Sequence, residues 1–362
     1  MSGPSWMEQL SQLFPPKPQF TEKNLPDLHG KASPRAFRVY FITGANTGVG
    51  KELVRMLYAK NATVYLAARS EEKARRAIEE IRQNSPLSST GKLVFVQLDL
   101  ADLTTIKGSV RTFLDQESQL HVLFNNAGVM KPAPGTTTAQ GYEPQLGVNN
   151  VGTFLLTKLL TPTLAATARR ENATTNPGQV RVVWVSSSAA EAPPSPKGGV
   201  PLDNLDYHQP MGWFPQYCIS KAGNYLHASE YARRHGPSNS NAGASGSGDG
   251  ILSVSLNPGN LDSELWRNQT FLVRKFLQLV LLHPPVMGAY TELYAGLSPE
   301  LNLEEHSGGW VVPWGRPMRI RSDLQEATRT KAEGGAVSGR GFGSGVRGRS
   351  SATFERTLPS VG

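Results

Sequence analysis

The 362-residue chain has one cysteine, Cys218. A single thiol excludes an internal disulfide, and a metal site built on thiolates is excluded with it. The seven histidines show no metal-ligand spacing either. A lone cysteine suits a reducing compartment, and the expected location is cytoplasmic. Long apolar runs are also missing. The longest, "FLQLVLL" at 276–282, is far short of the ~20 residues of a membrane-spanning helix. The first residues lack the basic start and apolar run of a signal peptide, so any membrane contact is expected to be peripheral at most. Charge is sparse, at 18% of residues, and the net charge of +8 is unevenly spread. From Arg329 onward six basic residues face two acids, which accounts for half of the excess. The remainder is mildly basic without a basic helix, and nucleic acid is not an expected partner.

What is present supports a buried core: 38% of residues are hydrophobic. Glycine (36) and proline (26) are concentrated in a few stretches. Residues 1–24 are polar and Pro-rich and are expected to form an N-terminal arm. Residues 25–325 are expected to be one domain. The stretch 236–250 reads as a low-complexity surface insert. Residues 326–362 are Gly/Arg-rich without periodicity and are expected to be a disordered tail.

Within the domain, apolar strands alternate with amphipathic helices. Strands are expected at "VYFIT" before a Gly-rich turn, then at 92–100, 121–128, 180–188, 251–259 and 308–315. Helices are expected near 103–117, 145–168 and 215–235. Such alternation predicts an α/β fold in which a doubly wound parallel sheet is covered by helices on both faces.

Chemistry concentrates at the strand ends. "TGANTGVG" at 43–50 places Gly44, Gly48 and Gly50 between a strand and a helix. There glycine allows a tight turn and lets N–H groups approach a pyrophosphate at the helix N-terminus. The second strand ends in "AARS". An NAD-preferring site carries an acid at this point, to bond the ribose 2′-hydroxyl. Here Ala68 takes that position and Arg69 follows, so a 2′-phosphate meets no repulsion and can be gripped by a guanidinium. NADP(H) is the expected cofactor. Lys73 and Arg75, further on, read as a solvated face. Asp99 can accept from an adenine amino group or equally cap the next helix. Asn126 can contact ligand or tie strands together.

Ser187 ends the fifth strand, and Tyr217 and Lys221 follow one helical turn apart, on one face. Hydride transfer to a carbonyl creates an oxygen that needs a proton. A phenol can supply it when a neighbouring ammonium and an oxidised nicotinamide lower its pKa. Ser187 can hold the substrate oxygen, and Asn149 can anchor a water that links Lys221 to solvent. Cys218 points off the shared face and reads as packing.

These motifs, in this order, resemble the short-chain dehydrogenase/reductases: "TGANTGVG", "NNAG" at 125–128, Asn149, Ser187, Tyr217 with Lys221, and Pro258-Gly259. The resemblance covers about 39–316. "AARS", "VNNVGTFLLT" and "VVPWGR" add similarity to the branch of retinol dehydrogenases, WW-domain oxidoreductases and their fungal relatives. It implies a Rossmann-type sheet of about seven strands and a nicotinamide cofactor. It assigns catalytic roles to Asn149, Ser187, Tyr217 and Lys221, with Tyr217 as acid/base. Cofactor contacts are implied for Gly44, Asn46, Gly48, Val49, Gly50, Arg69, Asp99, Asn126, Tyr217, Lys221, Leu261 and Ser263. Three stretches depart from it, at 32–38, 236–250 and the tail, and retinol itself is not implied because no apolar anchor precedes the domain.

In proteins this chain resembles, the segment 261–285 lies over the nicotinamide. Leu265, Phe271, Leu272, Phe276, Leu279 and Leu282 make it apolar. The expectation is a lid and a lipophilic alcohol or carbonyl substrate, with packing on the body or a homodimer contact as the other reading of the same surface. The activity expected is NADP(H)-dependent oxidation and reduction; a catalytically idle dinucleotide-binding sensor or scaffold is the alternative.

Overall fold

Strand alternation sets the architecture. In β1 (Val39–Thr43), Val39 and Phe41 join one apolar cluster while Tyr40 and Ile42 join another. In β5 (Arg181–Val185), Val182 and Trp184 divide from Val183 and Val185 in the same way. Successive side chains leave a strand on opposite faces, so strands that are apolar throughout demand cover on both sides. The computed structural model describes residues 3–28, 38–173, 178–237, 248–262 and 282–329.

The sheet also contains β2 (Thr63–Ala68), β3 (Lys92–Gln97), β4 (Val122–Asn125), β6 (Leu252–Leu256), β7 (Trp310–Val312) and β8 (Arg316–Met318). Its order is β3-β2-β1-β4-β5-β6-β7-β8. Tyr40 is in register with Val64 on one side and Val122 on the other, and every pair through β7 is parallel. The helices are α1 (Trp6–Leu13), α2 (Gly48–Tyr58), α3 (Glu71–Gln83), α4 (Leu103–Leu114), α5 (Pro144–Leu146), α6 (Thr153–Asn172), α7 (Trp213–His235), α8 (Pro285–Leu297), α9 (Leu303–His306) and α10 (Ser322–Thr328). One apolar cluster gathers residues of α2, α3 and α8, and the other those of α4, α6 and α7. Strand order reverses between β1 and β4, so the carboxyl ends of these strands part into a crevice where such sheets bind ligands.

The expected sheet of about seven strands is present as seven parallel strands, and an antiparallel eighth joins its edge: Gly315, at φ +84°, turns the chain so that β8 returns along β7. "RPM" was unreadable as a strand because it lacks alternation and carries Pro317, which an edge position tolerates. The expected N-terminal arm folds back as α1, opened by a capping box in which Ser5 and Glu8 bond each other's backbone N–H. The body also runs past 325, since Leu324 and Ala327 of α10 are buried. By length and composition the continuous helical stretch Pro144–Asn172 could cross a membrane, yet most of it is packed inside the fold. Most of the expected low-complexity insert, all but the first residues of the tail, Ser263 and most of the expected lid lie outside the described residues.

Candidate active site

The site opens where β1 turns into α2. Gly44 adopts φ +65°, and a Cβ there would lie 2.9 Å from Ala127 Cα. A Cβ on Gly50 would lie 2.6 Å from Asn126 Nδ2. Only glycine lets the turn close against β4 at these two points. Thr47, the N-cap of α2, makes no side-chain capping bond, so the first N–H groups of that helix are left to something else.

These residues border a cavity of about 510 Å³ that runs across the carboxyl ends of the strands. Gly44, Asn46, Gly48, Val49, Gly50, Arg69, Asp99, Asn126, Ser187, Tyr217, Lys221 and Leu261 all line it. Asn126 ties the end of β4 to β1 by donating to Thr43 O at 2.7 Å, and it also borders the cavity. Asp99 accepts from Ala101 N at 2.9 Å. The cap of α4 is Asp102, so Asp99 is not the helix cap.

At the far end stand the candidate catalytic groups. Tyr217 and Lys221 share one face of α7, and the Lys221 Nζ lies 5.6 Å from the Tyr217 ring centroid. Ser187 is the serine that stands beside the Tyr217 hydroxyl and favours its anion, and its Oγ accepts from Ala189 N at 3.2 Å. Ser186 instead turns inward and donates to Lys221 O at 2.6 Å. Lys221 Nζ donates to Val185 O at 3.0 Å. A Cβ on Gly128 would touch both Lys221 Nζ, at 3.2 Å, and Asn149 Oδ1, at 3.4 Å, so Gly128 separates two groups it brings close together.

The protein's own effect on the phenol is dominated by burial. It pushes the Tyr217 hydroxyl above its usual range, opposed by Ser187. Burial also pulls Lys221 down, to about 8, with the charge of Glu292 acting against the shift. A buried ammonium 5.6 Å from the ring therefore does not overcome the desolvation of the phenolate. Asn149 sits in a π-helical turn, Gly147–Gly152. Its amide makes three bonds: Oδ1 accepts from Val129 N at 2.8 Å, and Nδ2 donates to Val129 O at 3.1 Å and Ser220 Oγ at 3.0 Å. Its side chain thus ties the 128–130 loop to α7.

Some residues escaped the sequence reading. Lys73 lines the cavity together with Arg69 and Ser70, although it had read as part of a solvated face. Its neighbour Arg75 does lie on that face, paired with Glu71 at 2.5 Å. The signal available was the spacing: Lys73 is one turn beyond Arg69, at the start of α3. Met130, Ala189, Ala192 and Phe214 form an apolar wall beside Tyr217. Leu261, which lines the cavity, pairs with His283.

The profile of the short chain dehydrogenase family matches residues 38–197. A short-chain dehydrogenase/reductase of Phomopsis amygdali is 52% identical over 326 residues, covering 90% of this chain and 91% of its own. The chain belongs to the short-chain dehydrogenase/reductase family. This is a family of oxidoreductases that bind NAD(P)(H) and act on small substrates. Its member bet4 of Neocamarosporium betae is 47% identical over 328 residues, covering 90% of this chain and 88% of its own. Among solved structures, a protein from Mycobacterium paratuberculosis matches with a TM-score of 0.58 at 26% identity, covering 90% of this chain and 97% of that one. The RhlG/NADP complex of Pseudomonas aeruginosa matches with a TM-score of 0.55, covering 76% and 94%; at 20% identity it speaks for the fold alone. Among the described residues, no group of three or more His, Cys, Asp or Glu could hold a metal ion.

The residues fit the family's dinucleotide. The glycine turn borders the cavity and packs against Ala127 and Asn126 with no room for a Cβ at Gly44 or Gly50, the N–H groups at the start of α2 are not capped by the Thr47 side chain, and the cavity reaches from there to Tyr217.

Proposed function

We propose that this protein is an NADP(H)-dependent oxidoreductase that interconverts a lipophilic alcohol and its ketone or aldehyde, in the cytoplasm. The observation that carries the reading is the meeting of Ser187, Tyr217 and Lys221 on the wall of a cavity whose other end is the glycine cradle.

Gly44, Gly48 and Gly50 and the start of α2 would hold the pyrophosphate. Arg69 and Lys73, with no acid in the Ala68 position, would hold a 2′-phosphate. When bound, the reduced nicotinamide supplies a hydride to the carbonyl carbon. Tyr217 then supplies the proton. The phenol is neutral near pH 7, the state in which it has a proton to give. Ser187, beside the Tyr217 hydroxyl, would hold the substrate oxygen. Lys221, pinned by Val185 O, carries positive charge next to the phenol and favours its anion as the proton leaves. Met130, Ala189, Ala192 and Phe214 exclude water and favour an apolar substrate.

The test is consumption of NADPH and NADH by the purified protein with a panel of aliphatic and aromatic aldehydes and ketones. Turnover with NADPH is expected, and Tyr217→Phe should lower it by ~10²-fold or more while NADPH still binds. Arg69→Ala should weaken NADPH at least ~10-fold relative to NADH, the loss of one charge-assisted hydrogen bond. If NADPH binds but no carbonyl is reduced, and Tyr217→Phe changes nothing, the idle binding protein is the correct reading. If Arg69→Ala leaves the preference unchanged, the NADP(H) assignment fails.

A further inference from the structure

One buried amide outside the catalytic set joins two loops of the cleft. Gln12, on α1, is 5% exposed. Its Nε2 donates to Glu191 Oε2 at 2.9 Å, and its Oε1 accepts from Asn257 Nδ2 at 2.9 Å. Glu191 ends the short 3-10 turn Ser188–Glu191, whose N-cap is Ser187. Its other oxygen accepts from Arg321 N at 3.1 Å. Asn257 follows β6, and its Oδ1 accepts from Gly259 N at 3.0 Å, which shapes the turn Pro258–Leu261 on the cavity wall. β5 and β6 are neighbours in the sheet, so Gln12 closes across the two carboxyl ends from which these loops leave.

The chemistry of the bridge is specific. One loop offers an acceptor, the Glu191 carboxylate, and the other a donor, the Asn257 amide. A primary amide carries an acceptor and two donors on one planar end and can satisfy both at once; no apolar side chain can. Glu191 is itself largely buried, its carboxyl raised by desolvation, and the Gln12 bond is among the contacts that oppose the shift. α1 is anchored separately: Arg316 Nη2 donates to Ser11 O at 2.8 Å and Nη1 to Ser11 Oγ at 3.2 Å. The helix therefore holds Gln12 in place rather than depending on it.

We propose that Gln12 is a positioning residue for the active site, locking the Ser187 turn to the Pro258–Leu261 turn, so that the N-terminal helix is a working part of the cleft. The proposal rests on the functional reading only in taking these two turns as catalytic and cofactor-binding. The full-length chain is compared with Gln12→Met, which keeps the volume but makes neither bond, with Gln12→Glu, which sets a carboxylate against Glu191, and with the exchange Q12E/E191Q, which restores a donor opposite an acceptor while Asn257 keeps its partner.

Amide hydrogen exchange over 186–192 and 257–262 should speed up by about tenfold in Gln12→Met and more in Gln12→Glu, the loss of one or two buried hydrogen bonds. Exchange across β1–β4 should not change, and Q12E/E191Q should recover protection in both turns. NADPH affinity should fall and recover in parallel. With any carbonyl the wild type reduces, kcat should fall by about tenfold in Gln12→Met and return in the exchange variant. Unchanged exchange in Gln12→Met, or an exchange variant no better than Gln12→Glu, overturns the proposal. So does a uniform rise in exchange over the whole sheet, which marks a purely structural role. If the wild type reduces no carbonyl, exchange and NADPH affinity alone decide for or against Gln12, and only the enzymatic reading falls.

Discussion

Glu292 is the group in this protein whose charge state burial decides most clearly. It lies on α8 with no exposed surface, and neither carboxyl oxygen has a hydrogen-bond partner. Gly288 and Gly296, one turn to either side, mark the face it shares. A Cβ on the first would meet Leu261 and the Pro258 carbonyl, and a Cβ on the second would meet Phe124. Glu292 thus faces the sheet beneath the cleft. Desolvation pushes its carboxyl from 4.5 up to about 8, with the Lys221 charge opposing. The folded protein then binds a proton that the unfolded chain releases above pH 4.5, so the stability Glu292 contributes is lost as pH rises from about 4.5 to about 8; below about pH 6.5 the two buried histidines act in the opposite sense and outweigh it. Glu292→Gln should therefore flatten the decline between about pH 6.5 and 8, measured by urea unfolding, and should raise stability at pH 8 relative to the wild type. A curve that the substitution leaves unchanged between pH 6.5 and 8 would show that the carboxyl is ionised and solvated.

At the scale of elements, Arg181 shows how a helix end is finished from a distance. The first residue of β5 reaches past the sheet to the C-terminus of α8. Its Nη1 donates to Ala295 O at 3.1 Å, and Nη2 donates to Ser298 O at 2.8 Å and Leu301 O at 3.3 Å. Nε donates to Gly178 O at 2.9 Å. The last carbonyls of a helix lack intrahelical partners, and a cation there also meets the negative end of the helix dipole. Burial costs the guanidinium some of its charge preference, lowering it to about 10, yet four carbonyls satisfy it. Arg181→Met should therefore destabilise the fold by roughly 2–4 kcal/mol in urea unfolding, because it strands several buried acceptors. Arg181→Lys should recover little, since a single ammonium cannot span the fork. A loss under about 0.5 kcal/mol, the usual range of surface changes, would mean the carbonyls find other donors.

For the molecule as a whole, acid is the vulnerable direction. His121 and His227 are both buried, on opposite sides of α6 in sequence, and burial lowers each to about 3. His121 Nδ1 accepts from Val39 N at 3.0 Å, a bond that needs the neutral ring. His227 stacks between Phe154 and Trp184, with centroids 5.4 Å from each. For a histidine the folded pKa is below the unfolded value of 6.5. The stability it contributes is fully present above pH 6.5 and is lost as pH falls towards about 3. Thermal unfolding from pH 7 to pH 4 should show a falling Tm, and His227→Phe, which keeps the stack and removes one titration, should make the fall shallower. An unchanged slope would assign the acid sensitivity elsewhere.

The order of motifs along the chain was enough to establish the sheet, the glycine turn and the pairing of Tyr217 with Lys221, because each depends on spacing within one element or between neighbouring ones. Strand alternation, helical four-residue spacing and the turn requirement of Gly44 are local properties. The parts that stayed hidden depend on what a residue meets across the fold. That Ser186 turns inward to the backbone of α7 was visible only once α7 was placed beside β5. The phenol's pKa was governed by burial, which spacing does not encode. Lys73 became a cavity residue because the start of α3, just after the end of β2, lies on the cavity wall. Gln12 looked like one polar residue in a Pro-rich arm, and only the closing of α1 over the ends of β5 and β6 gave it two partners. Local periodicity and turn chemistry are written in the sequence; desolvation and long-range hydrogen bonding exist only after the chain has packed.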